Sequence, residues 1–293
     1  VNSYRAVVRG RRQLSPHLVT ITLGGLDGWV STGVPDEYVR VFIALPGHEL
    51  VLPIMGGQRG WSFPEDVTPP EPRVYTISDH RIVDGDVQID LDIAVHDTGL
   101  GSDWARTCVV GDEVAVIDPH GLYKPRADVG WQLLVCDITG VPALARILRE
   151  AEPGRRIEAH VVLTDAADEI ALPSAADLDV TWQVVADETR IGDALVAAVC
   201  ERELPEEDRY VWLAGEAAAS RAVRKRLRRE LGWAQSDFYT CGYWQFDAEA
   251  WNARYAAVAD EVTAEAIAAY ERAAGDEGRY LDDLEDIYER AGL

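Results

Sequence analysis

Near residue 130 the apolar residues change their period, and that change limits the folds open to this chain more than any other feature. Before it, short runs rich in β-branched residues recur at close spacing: YRAVVR (4–9), LVTITL (18–23), YVRVFIAL (38–45), RVYTIS (73–78), VQIDLDIAV (87–95) and EVAVI (113–117). The fifth alternates apolar and polar residues, as a half-buried strand must. Gly and Pro crowd residues 48–72, which read as loop, residues 79–86 read as a hairpin connection, and a short helical patch at 102–107 follows two glycines. About six strands at this spacing predict a small antiparallel barrel over residues 1–128. After the change, apolar runs alternate with helical patterns: strand 131–136 (WQLLVC), helix 141–150, strands 157–163 and 180–185, helix 191–202, strand 210–214 (YVWLA), helix 217–231 and strand 237–241. That alternation predicts a parallel sheet covered on both faces over residues 129–245. Residues 246–293 form a third regime, helical and Ala-rich. Trp251, Tyr255, Val258, Val262, Ala266 and Tyr270 make one inward stripe, Gly275 and Gly278 break it, and a last helix covers 280–291.

The charge is also partitioned. Over 293 residues there are 28 Lys+Arg and 51 Asp+Glu, a net charge of −23. Residues 245–293 hold 13 acids and 4 arginines, so the tail alone contributes 4 − 13 = −9. A field of this sign repels phosphate backbones and anionic lipid surfaces, which argues against nucleic-acid partners and membrane binding. No apolar run of about 18 residues is present and no apolar segment follows the N-terminal arginines, so neither membrane insertion nor a signal peptide is expected. Cys108, Cys136, Cys200 and Cys241 have no metal spacing, and neither do His17, His48, His80, His120 and His160. No metal site is expected. A cytoplasmic location follows as the expectation.

Two short stretches carry chemistry. In Arg73-Val74-Tyr75-Thr76 the Arg can pair with a pyrophosphate. The Tyr points to the same side of the strand and can stack on a flat ring, and the Thr hydroxyl can meet the ring's edge. In Val95-His96-Asp97-Thr98-Gly99-Leu100-Gly101-Ser102-Asp103-Trp104-Ala105, a strand end passes through a Gly-rich turn into a helix start. Ser102 is the expected N-cap, leaving N–H groups for a phosphate. Singly, an edge-strand Arg and a capped helix account for these stretches equally well. At this mutual distance the cofactor reading is the better one.

With these stand GDEVAVIDPHG (111–121), DITGVPALARIL (137–148), WLAGEAAASRAVRKRL (212–227) and GYW (242–244). The ordered set spans most of residues 1–245 and resembles the siderophore-interacting proteins, FAD-dependent ferric-siderophore reductases. The resemblance implies a flavin-binding barrel, then a nicotinamide-binding α/β domain. It implies that Arg73, Tyr75 and Thr76 hold FAD, with Tyr75 on the ring and Thr76 at its reactive edge as the catalytic pair. It implies that His96 touches the flavin and that Gly99, Gly101, Ser102 and Trp104 hold its phosphates. Asp137, Thr139, Pro142, Gly215, Glu216 and Ala217 would form the two turns that receive NADPH or NADH, with Tyr243 and Trp244 near the nicotinamide. Electrons would pass from NAD(P)H through FAD to ferric iron held by a siderophore.

Three departures weaken the nicotinamide and substrate side: Ser78 stands where the family often has a basic residue, Ile138 where it has an acid, and Gln245-Phe246-Asp247 where basic residues and a Gly are usual. They leave room for a general flavin or ferredoxin-type reductase, or for a non-catalytic flavin- and siderophore-binding module. Ferric siderophores are often anionic, so Arg40, Arg59, Lys124 and Arg126 are candidate substrate contacts. Asp165 lies past the second strand of the sheet, where an acid can favour a ribose 2′-hydroxyl over a 2′-phosphate, but the domain is not a standard Rossmann fold and NADH and NADPH both stay open. The run Arg221, Arg224, Lys225, Arg226, Arg228 and Arg229 is expected mostly to face solvent over a stripe of Val223, Leu227 and Leu231, with Arg221 near enough to the helix start to meet a phosphate. The acidic tail is expected to cap the sheet domain, with self-association through its helices as the sharper reading.

Overall fold

The computed structural model describes residues 2–56 and 60–293. Six strands close a barrel: β1 (Ser3–Ser15), β2 (Leu18–Gly24), β3 (Tyr38–Ile43), β6 (Glu71–Val83), β7 (Asp86–Ala94) and β8 (Glu113–Ile117), in the order β1-β2-β7-β6-β3-β8, all antiparallel. The predicted alternation does its work in β7, where Ile89, Leu91 and Ile93 point into the barrel against Ile21, Leu23, Val39, Val41 and Ile77. The long β3–β6 connection contains a two-strand ribbon, β4 (Ile54–Met55) and β5 (Trp61–Ser62). Trp61 and Phe63 pack edge-on against Phe42 outside the barrel. Helix α1 (Leu100–Thr107) follows β7.

Residues 79–83 are strand, not connection. His80, Arg81 and Ile82 pair with Ile89, Gln88 and Val87, and the turn is only Asp84-Gly85, both at positive φ (51° and 85°). Two left-handed residues make the tight turn whose twist matches the flanking strands.

The second sheet is parallel, ordered β11-β10-β9-β12-β13: β9 (Trp131–Asp137), β10 (Arg156–Leu163), β11 (Asp177–Val184), β12 (Arg209–Glu216) and β13 (Phe238–Trp244). The central strands β9 and β12 are buried nearly throughout, which explains their unbroken apolar runs. Helix α2 (Val141–Glu150) packs on one face, and α3 (Ile191–Cys200) and α4 (Ala217–Lys225) on the other. A π-type turn, Arg226–Glu230, ends α4. It leaves Leu231 41% exposed, so only Val223 and Leu227 of the expected stripe are buried.

Helices α5 (Ala248–Ala273) and α6 (Glu277–Ala291) form a hairpin closed over Val262, Ala269 and Ile287. Gly278 lies within α6 instead of breaking it, and Tyr270, expected inward, is exposed. The basic run also departs from expectation. Arg224 is buried and bonds to Asp282 and to the Gly278 carbonyl (3.1 Å), Arg228 lies 3.0 Å from Asp282, and Arg229 lies 3.2 Å from Glu285 and 2.7 Å from Asp286. Lys225 is 3.6 Å from Glu289, and Arg221 adds positive charge near Tyr288 of α6. The run is the dock for the acidic tail. No helix among the described residues is long and apolar enough to cross a membrane.

Candidate functional site

On the barrel, β3 and β6 pair so that Val41 faces Arg73, Val39 faces Tyr75 and Tyr38 faces Thr76. Arg73 and Tyr75 therefore share one side, and both meet the start of α1. A Cβ on Gly101 would collide with the Tyr75 hydroxyl and stand 3.5 Å from Arg73 Cγ, so a side chain there would have to push the Tyr75 ring aside. Gly99 precedes the helix at φ 119°, and no side chain caps it. Ser102 is not the N-cap: its Oγ accepts the His96 N–H (2.9 Å), tying the strand end to the helix. Trp104 packs against the barrel core. Arg106, which the sequence reading passed over, donates to the carbonyls of His96 and Asp97 and braces the loop. Arg73 is 2.9 Å from Glu71, a partner it can exchange for a phosphate. Burial pushes the Tyr75 phenol up to about 12, so it stays a neutral ring face at ordinary pH.

Thr76 is buried, and its hydroxyl faces the Tyr243 phenol from β13. The barrel's motif and the sheet's last strand meet at this contact. Beside it lies a cluster that no sequence motif marks. Asp36 is 2% exposed, and its Oδ1 accepts the N–H groups of Leu122 (2.7 Å) and Tyr123 (2.8 Å). Burial lifts its carboxyl above the ordinary range despite those donors, and also raises Tyr38, Tyr239 and Cys241 nearby.

At the carboxyl ends of β9, β12 and β13 the predicted residues do converge, largely on one another. Asp137 is fully buried. Its Oδ1 accepts from Thr139 N (2.9 Å) and Oγ1 (2.6 Å), and its Oδ2 accepts from Trp244 Nε1 (2.7 Å). Burial, only partly offset by these donors, raises its pKa. A Cβ on Gly215 would fall 2.5 Å from Asp137 Oδ2, which fixes glycine there. Pro142 is buried in the first turn of α2, and Ala217, the first residue of α4, abuts Gly242, where a Cβ would fall 2.8 Å from its Cα. Glu216 caps α4 through Ala219 N (2.9 Å), so that helix start already holds a carboxylate. Between α3 and α4 lies a cavity of about 360 Å³ lined by Glu188, Thr189, Asp193, Glu216, Gln245 and Phe246 among others. His96 Nδ1 is 3.8 Å from Glu188 Oε1, linking the loop before α1 to the rim.

The three described candidate substrate cations have separate surroundings. Arg40 lies over the Trp61 ring at 5.3 Å, Arg126 is 3.6 Å from Asp128 and 3.7 Å from Asp237, and Lys124 is exposed. Arg59 falls outside the described residues. His17, distant in sequence from Asp165 and Asp168, joins them to bring three potential ligand atoms within 4.8 Å of one another. Asp168 is already engaged: it accepts from Ser15 Oγ (2.6 Å) and His17 N (2.8 Å) and faces His17 Nδ1 at 2.7 Å, which joins the β1–β2 turn to the loop after β10.

A barrel followed by a five-stranded parallel sheet, meeting at a strand motif and a helix start, is the ferredoxin-reductase-like fold of FAD/NAD proteins. Residues 7–123 match the siderophore-interacting FAD-binding domain and residues 129–247 the siderophore-interacting protein model. The chain belongs to the siderophore-interacting protein family. A siderophore utilization protein from T. fusca has 30% sequence identity and a TM-score of 0.70, covering 83% of this chain and 93% of that one. The NADPH-dependent ferric-chelate reductase of Escherichia coli is 29% identical over 223 residues, 74% of this chain and 84% of its own length. The ferric vibriobactin reductase ViuB of Vibrio cholerae is 26% identical over 243 residues, 80% and 86% of the two chains.

Proposed function

We propose that this protein reduces the ferric iron of a siderophore in the cytoplasm, drawing electrons from NADPH or NADH through FAD. The observation that carries this reading is the seat of α1 against Arg73 and Tyr75, with Tyr243 of the sheet on the neighbouring Thr76. The residues fit FAD. The uncapped start of α1 offers N–H groups to its phosphates, Arg73 offers a guanidinium within reach, and Tyr75 offers a neutral ring. When bound, FAD supplies a two-electron acceptor that can release electrons singly. On this reading residues 1–128 hold the flavin, residues 129–245 receive the nicotinamide, and Asp137 shapes its turn without touching it.

The remaining work of the chain is positional. Thr76 and Tyr243 orient the reactive edge between barrel and sheet. Reduction of iron from the ferric to the ferrous state weakens its bonds to hard oxygen ligands and releases it. The test is anaerobic: FAD-loaded protein is mixed with a ferric siderophore and NADPH or NADH, and ferrous iron is trapped by a chelator. Trapping well above a free-flavin control is expected; a rate equal to that control overturns the proposal.

A second reading is favoured by one observation. The start of α4 holds Glu216, and acids line the cavity beside it, which is poor ground for a pyrophosphate. A flavin- and siderophore-binding module without nicotinamide turnover would keep its yellow colour when NAD(P)H is added. We also propose self-association through α5, whose Ile267 and Tyr270 are exposed; a purely monomeric sedimentation profile would exclude it.

A further inference from the structure

Helix α2 does more than cover the sheet. Arg146 is 1% exposed, in an otherwise apolar helix face. Its guanidinium crosses to the barrel, donating from NH1 to Glu37 Oε1 (2.9 Å) and to the Ile77 carbonyl (3.0 Å), while Nε reaches Glu150 of its own helix at 2.7 Å. Glu37 is fully buried and also takes Ser31 Oγ (2.6 Å) and Thr32 N (2.7 Å). One turn on, Arg149 donates to the Ser78 carbonyl (2.6 Å).

The two carbonyls are available for a structural reason. Strand β6 pairs with β3 as far as Thr76 and with β7 from Ile77, and a register shift falls between Ile77 and Asp79. A bulge leaves backbone groups outside the ladder. These groups directly follow Tyr75-Thr76. Glu37 is equally close to the motif: its carbonyl accepts the Ile77 N–H (2.9 Å), and the next residue, Tyr38, pairs with Thr76. At its other end α2 begins at the Asp137–Gly140 turn.

Resting on the flavin and nicotinamide reading above, we infer that Arg146 and Arg149 are positioning residues: they clamp the bulge after Tyr75-Thr76 to α2 and so fix the spacing between the flavin face and the nucleotide turn. The buried pair is costly to break singly, because a lone Glu37 would be left charged in the interior. It is therefore removed as a pair, in Glu37→Gln with Arg146→Met. Arg149, which is 44% exposed, is changed to Ala and to Lys.

Two measurements test the inference. In hydrogen–deuterium exchange, Arg149→Ala is expected to speed exchange at residues 77–79 by roughly tenfold while β1, β2 and β8 keep their protection, and Arg149→Lys to restore it in part. In rapid mixing of the FAD-loaded variants, bleaching by NADPH or NADH is expected to slow by about 10- to 100-fold, as ångström misplacement does, with FAD affinity and bleaching by dithionite unchanged. Wild-type exchange at 77–79 in Arg149→Ala overturns the clamp. Faster exchange with unaltered nicotinamide bleaching overturns its positioning role. If the wild-type protein is not bleached by either nucleotide, the functional reading fails and the exchange measurement alone decides the clamp. If the double variant does not fold, Arg149→Ala carries the test.

Discussion

Asp36 and Asp137 are two buried carboxyls with different solutions. Asp137 uses both oxygens, one on Thr139 and one on Trp244, and its neighbour Gly215 must lack a side chain to leave room. Asp36 uses one oxygen for two backbone N–H groups. Its pKa is raised above 3.8 because burial outweighs those donors. The folded state then holds the proton more tightly than the unfolded chain does. Asp36 contributes stability below the unfolded value, and that contribution is lost as pH rises through the folded one. Asp36→Asn keeps the oxygen that takes both N–H groups. The variant should match the wild type below about pH 4 and exceed it increasingly above that. Thermal melts across this range check it, and a gap that closes with rising pH would contradict the assignment.

At the scale of elements, the tail is held by one helix pair. Arg224 is buried under α6 and depends on Asp282, whereas Arg290 and Glu265, which join α6 to α5 at 2.5 Å, are largely exposed. A buried cation that loses its partner cannot recover water, while an exposed one can. Asp282→Ala should therefore cost about 3 kcal/mol in urea unfolding, and Glu265→Ala no more than about 1 kcal/mol. Equal losses would show that α6 is not held through Arg224. Why the sequence reading turned the basic run toward solvent is clear from α4 itself. Val223 and Leu227 account for its buried stripe, and nothing local says that a helix about 55 residues away brings acids to the opposite side.

Across the whole molecule, barrel and sheet are joined by interlocking contacts. Leu18 of β2 is fully buried in the core beneath α2, Glu37 meets Arg146, and Asp168 takes Ser15 and His17. Shared burial of this kind predicts one cooperative calorimetric transition. Asp168→Ala leaves the Ser15 hydroxyl and the His17 N–H without their acceptor at a buried seam. The midpoint should fall by roughly 5 °C or more, consistent with a loss of about 2–3 kcal/mol. Separate barrel and sheet transitions already present in the wild type would refute the shared seam.

The period of the apolar residues was enough to determine the order and type of the elements: six barrel strands, five alternating strands with their helices, and a helical tail. That information is local, since alternation and helical spacing depend on near neighbours. The stretches holding Arg73, Tyr75, Thr76 and Gly101 stood out for the same reason, as contiguous motifs, whereas Asp137 was singled out only through the family resemblance. Tertiary structure alone decided what each polar group faces. It gave the Ser102 hydroxyl to His96, closed Asp137 around Thr139 and Trp244, placed Asp36 at the seam, set Arg146 on Glu37 and turned the arginines of α4 toward the tail. Apart from Thr139, two residues from Asp137, those partners lie from 6 to 109 residues apart. Which of them meet depends on strand order and helix docking, which no short window of sequence contains.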